Sequence, residues 1–202
     1  MKDTAFKNKV MPFLLEKRII KRNGRLIAVE DQSNELCEAL DRFAGIDYIY
    51  QFGNHVASFA VRCQKINPFN GRYDGFDTFT IRSKKDTLTT TEKFKRSEAI
   101  KWGYIYPTFT VQAYLKDNMD GDVISVAIIK TVDLYSVYEK HPKIIKTNYA
   151  HTGGDTNIFD NILWSDLKSK GYRISMYPSR SEEAEVKYVE IEDPNFDDPF
   201  SD

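Results

Sequence analysis

Apolar positions along the chain alternate in three consecutive stretches, 46–52 ("IDYIYQF"), 55–64 ("HVASFAVRCQ") and 76–82 ("FDTFTIR"), which predicts three strands. A helix is predicted on either side of them. In "DQSNELCEALDRFAG", Leu36, Leu40 and Phe43 recur at helical spacing, Ser33 can cap the start and Gly45 can stop the end. In "TTTEKFKRSEAIKWG", Thr91 or a neighbour is the cap, Phe94 and Ile100 mark the apolar side, and Gly103 is the stop. Two more strands follow, "TFTVQAYL" and "VISVAIIK", giving the order α-β-β-β-α-β-β.

The flanks are simpler. Residues 4–15 predict a short helix, and "KRIIKRNGRLIAVE" predicts a hairpin, because Asn23-Gly24 suits the positive φ values of a type I′ turn between apolar runs. Toward the other end, "VDLYSVYEKH" predicts a helix, "HTGGDTNIFD" a loop, "WSDLKSKG" a short helix and "YRISMYP" a last strand. With no internal repeat and no long linker, residues 1–180 predict one α/β domain, a mixed sheet flanked by helices, with an acidic tail over 181–202.

Composition is consistent with this pattern. The 202 residues, 41% hydrophobic and 13% aromatic, suffice for one sizeable core. No stretch approaches the ~20 apolar residues of a membrane span, and the first apolar run is too short for a signal peptide, so a soluble cytoplasmic protein with no membrane partner is expected. Cys37 and Cys63 lie in apolar-patterned segments away from any Cys/His cluster and predict reduced thiols.

Charge adds an asymmetry that the net value of -1 conceals. Residues 181–202 hold nine acids and one base, leaving residues 1–180 at a net +7. A basic body suits a polyanion, and an acidic, disordered tail suits a competitor for the same surface or a protein-recruiting segment. The tail "EDPNFDDPFSD" is similar to the acidic Pro-Phe tip of single-stranded DNA-binding proteins, which implies a protein partner.

The element order over residues 30–115 resembles the PD-(D/E)xK, or restriction-endonuclease-like, nuclease superfamily, whose core runs α-β-β-β-α-β. The resemblance implies a core at about 30–130, with Asp47 as the motif aspartate, Glu35 as an acid from the preceding helix, and Arg62-Cys63-Gln64 where the family has acid-x-lysine. It further implies that Glu35 and Asp47 hold Mg²⁺ or Mn²⁺, with Asp41 or Asp77 as replacement ligands. In that scheme Gln64 positions a water and Arg62 touches the scissile phosphate. Arg62 departs from the pattern, because a guanidinium cannot coordinate a cation. An ion pair between Arg62 and Asp47 across the strands would place the same residues without chemistry.

Two functions follow as expectations. One is a metal-dependent nuclease cleaving phosphodiester bonds in DNA; the other is an inactive nuclease-like fold that binds DNA or protein as an inhibitor or accessory factor. A second set of residues points to nucleic acid in either case. Arg82, Lys84, Lys85, Lys93, Lys95 and Arg96, interleaved with Phe94, Trp102, Tyr104 and Tyr106, can neutralise phosphates and stack on bases. The scattered His55, His141 and His151 offer no zinc spacing, and no serine- or cysteine-hydrolase signature occurs.

Overall fold

Strands β5 (Phe109–Lys116) and β6 (Val123–Lys130) owe their near-continuous apolar character to burial on both faces. Phe109, Val111, Ala113 and Leu115 of β5, with Val126 and Ile128 of β6, enter one core. Tyr114, Ala127 and Ile129 point the opposite way into a second. The computed structural model describes residues 2–20, 24–32, 34–66, 76–85, 91–118, 120–152 and 155–178. The acidic tail 181–202 lies outside the described residues.

These strands belong to a six-stranded mixed sheet in the order β1-β2-β3-β5-β6-β9, with β1 at Arg25–Ala28, β2 at Tyr48–Phe52, β3 at His55–Ile66 and β9 at Ile174–Tyr177. Only β3 and β5 run parallel; the other neighbours are antiparallel. A parallel pair requires a crossover. Here it carries β4 (Thr78–Lys85) and α4 (Glu92–Trp102).

The first core is closed by α1 (Lys2–Ala5) and α2 (Met11–Glu16), joined through a π-type turn at Phe6–Val10. Phe6, Val10 and Leu14 are laid against the sheet, as the helical pattern over 4–15 predicts. The hairpin expected from "KRIIKRNGRLIAVE" is corrected in its partner: β1 pairs with β2, Leu26 opposite Tyr50. Tyr48 and Tyr50 of β2 are buried in the first core, and Ile19 and Ile20 reach the same core directly. Residues 21–23 of the predicted turn lie outside the described residues.

Strand β4 leaves the main sheet. It pairs with β8 (Asp155–Leu163), which pairs with β7 (Ile145–Thr152), forming a second, antiparallel sheet. The loop expected at "HTGGDTNIFD" is therefore corrected to the ends of β7 and β8, with 153–154 outside the described residues. Its polar composition hid strand β8, whose backbone is paired on both sides and whose buried acid, Asp160, is met by Lys93 Nζ at 3.0 Å and Tyr138 OH at 3.0 Å. Phe79 and Ile81 of β4 close the second core together with α5 (Thr131–Lys140) and α6 (Trp164–Ser169).

Helix α3 (Glu35–Ala39), prolonged by a π-type turn at Leu40–Ala44, packs Leu40 and Ala44 against Val29 and Ile46. Asn34 caps it, accepting the Cys37 N–H at 2.9 Å; Ser33 lies outside the described residues. Thr91 caps α4 as expected, accepting from the Phe94 N–H at 3.4 Å. Neither Cys37 nor Cys63 is joined in a disulfide. No helix among the described residues is long and apolar enough to cross a membrane.

Candidate functional site

The hairpin of β2 and β3 places Asp47, which immediately precedes β2, beside the strand that carries Arg62 and Gln64. Asp47 is fixed through its backbone on both sides: its N–H donates to Phe59 O at 2.9 Å, and its carbonyl accepts from Val29 N–H at 3.0 Å. Its carboxylate Oδ2 accepts the Val61 N–H at 2.5 Å. Along β3, Phe59 and Cys63 point into the first core, so Arg62 and Gln64, at alternate positions, face the second sheet.

The partner of the Arg62 guanidinium is Glu92, the first residue of α4, with Nη2 donating to Oε2 at 2.7 Å. Arg96, one turn further along α4, donates from Nη1 to the other carboxylate oxygen, Oε1. Burial alone would raise the Glu92 carboxyl, but the Arg96 and Arg62 charges and an Arg82 backbone N–H hold it below the usual carboxylate range. Burial likewise opposes the charge on Arg96, and Glu92, with Tyr135 and Asp47, outweighs it, so Arg96 stays charged.

A cavity of about 290 Å³ opens between the two sheets at this point. Among its walls are four bases, Arg62, Arg82, Lys95 and Arg96, against two acids, Asp47 and Glu92. Arg96 is only 7% exposed and also donates from Nη2 to Gly45 O at 3.3 Å. The Nε atoms of Arg82 and Arg96 are buried with no hydrogen-bond partner among the described residues. Arg62 and Arg82 each set their guanidinium 5.7 Å from the centre of the Phe159 ring. The excess of bases over acids in this wall favours an anion.

Of the residues singled out in the sequence, Asp47, Arg62, Arg82, Lys95 and Arg96 meet at this cavity. Gln64 lies one step behind it, accepting from Gln112 Nε2 at 3.1 Å, and Gln112 is itself in the wall. Glu35 and Asp41 are exposed on α3 and its continuation, and neither they nor Asp77 line the cavity. Lys93 turns to Asp160, Lys84 is exposed, and the Lys85 side chain lies outside the described residues.

A divalent cation such as Mg²⁺ requires several oxygen ligands. At this cavity both oxygens of Glu92 already accept from guanidinium groups, which leaves Asp47 as the other acid in the wall. The residues present do not fit the metal.

Sequence reading missed Glu92, Phe159 and Gln112. The i, i+4 spacing of Glu92 and Arg96 and the polar Gln112 inside an apolar strand were the available signals; Phe159 left none. No family model, curated protein or solved structure matches the chain.

Proposed function

We propose that this protein binds nucleic acid on a restriction-endonuclease-like core whose cavity takes a backbone phosphate on guanidinium groups, in the place where a nuclease holds its metal and water. One observation carries the reading: Arg62, Arg82 and Arg96 converge on one cavity, whose wall holds four bases against two acids. Guanidinium forks match phosphate oxygens in geometry as well as charge. Support for the core is the adjacency of the strand begun by Asp47 and the strand bearing Arg62 and Gln64, which the resemblance requires.

The test is fluorescence anisotropy of the full chain with labelled DNA and RNA oligonucleotides over a salt series. Affinity should fall linearly on a log-log scale, and Arg82→Ala should weaken binding and reduce the slope by about one. Absence of binding to every oligonucleotide at low salt overturns the proposal. A second arm adds Mg²⁺ or Mn²⁺ to the same mixtures. Cleavage that disappears in Asp47→Ala would restore the metal-dependent hydrolase, the reading favoured by the place of Asp47 in the cavity wall.

A further inference from the structure

The basic cavity is a recess. Among the described residues that line it, none is exposed: each is buried or half-buried. Its polar wall grades with depth. Arg62, Arg82, Lys95, Asp47 and Glu92 are half-buried, whereas Gln112, Thr110 and Arg96 retain only 1%, 7% and 7% of their exposure. The walls come from β3, β4, β5, α4 and the turn that prolongs α3, so the hollow is enclosed by five different elements. Its volume of about 290 Å³ lies at the lower end of small-molecule sites, roughly 300–1,000 Å³, which is room for about one nucleotide.

We infer that the phosphate this cavity takes is a terminal one, the phosphomonoester at the end of a nucleic acid strand. This inference rests on the phosphate reading given above and narrows it from any backbone phosphate to the one at a chain end. An internal phosphate carries a sugar on each side, so a strand that continues in both directions needs a groove with exposed walls. A strand end leads with its phosphate and has one sugar behind it, which suits a recess. Charge points the same way. Four bases against two acids leave the wall at a net +2. A phosphodiester brings one negative charge, whereas a phosphomonoester carries about two at neutral pH, because its second pKa is near 6. Glu92 engages one nitrogen of Arg62 and one of Arg96, and a guanidinium has further N–H donors to give to phosphate oxygens.

Four forms of one internally labelled DNA strand of about 30 nucleotides, longer than a usual single-strand site, test this by anisotropy with the full chain. They carry a 5′-phosphate, a 3′-phosphate, hydroxyls at both ends, or no ends because the strand is closed into a circle. At least one phosphorylated strand should bind at least about tenfold more tightly than the hydroxyl-ended strand and the circle, and the preferred end gives the polarity of the site. Arg82→Ala, with unchanged thermal melting as the check on folding, should reduce that preference to about threefold or less. Thymidine monophosphate carrying its phosphate at the preferred end should compete at least about tenfold more weakly than the phosphorylated strand. Competition equal to that of the strand overturns the strand end as the ligand in favour of a free phosphomonoester. Equal affinity for all four forms overturns the terminal reading and leaves a backbone-phosphate site standing. Failure of all four to bind at low salt overturns both.

Discussion

Arg62 donates to Glu92 at 2.7 Å, joining the middle of β3 in the main sheet to the first residue of α4 in the crossover. This contact fixes one wall of the cavity against another, and Arg96 completes it by taking the second oxygen of the same carboxylate. The acid thus separates two guanidinium groups that would repel one another without it.

Glu92→Gln should lower stability by about 2 kcal/mol, less than for a fully buried pair because Arg62 and Glu92 retain partial solvent access. The acid limb of the pH profile should change with it. The Glu92 carboxyl is depressed in the fold, so its contribution is complete above the ordinary carboxylate value near 4.3 and is lost as pH falls toward the folded value. Urea midpoints measured across that range should therefore drop more in the wild type than in Glu92→Gln.

Gly45 holds φ at 66°, and a Cβ there would sit 3.4 Å from Nη2 of Arg96. Gly45→Ala should cost about 1–2 kcal/mol through the left-handed backbone and should also displace the guanidinium, weakening oligonucleotide binding. Gly53, at φ 56° with nothing within 4 Å of a Cβ, provides the comparison. Gly53→Ala should carry the backbone cost alone, which denaturant titration and anisotropy on the two variants will separate.

Gln112 is 1% exposed, donates to Gln64 and accepts from the Thr80 N–H at 3.4 Å, so it bridges β3, β5 and β4. Gln112→Leu should cost about 1–3 kcal/mol by leaving Gln64 Oε1 and the Thr80 N–H without their partner. Amide hydrogen exchange should show faster exchange at Thr80 than in the wild type.

Asp160 gathers Lys93, Tyr138 and Thr147 from three different elements. Asp160→Asn should destabilise the fold by about 2–3 kcal/mol, and a double-mutant cycle with Lys93→Met should show coupling. The Tyr138 phenol is raised by burial and then by the Asp160 charge. The stability it contributes is complete below the ordinary tyrosine value near 10 and is lost as pH rises beyond it. Phenolate absorbance against pH should show earlier ionisation in Asp160→Asn.

The sequence made the local features readable. The Thr91 cap, the alternation of β2 and β3 and the closeness of Asp47 to Arg62 depend on residues near one another in the chain, where period and turn chemistry act directly. Glu92 and Phe159 escaped notice because their approach to Arg62 depends on where the crossover and the second sheet dock, which alternation does not encode. Gln112 stood out as a polar residue in an apolar strand, yet nothing local named Gln64 as its partner. The departure of β4 into a second sheet was hidden for the same reason: a strand pattern states that a strand forms, and leaves open which edge receives it.

The parallel pairing of β3 with β5 sets Phe59 beside Phe109 across a long intervening segment. Closing so long a loop is entropically slow, and hairpins such as β2 with β3 can form well before it. Asp47 and Arg62 come from that early hairpin, whereas Glu92 and Arg96 arrive with the crossover. The cavity is consequently a late product of chain assembly, and a nascent chain that has not yet emerged past β5 carries Arg62, Arg82 and Arg96 without the walls they share.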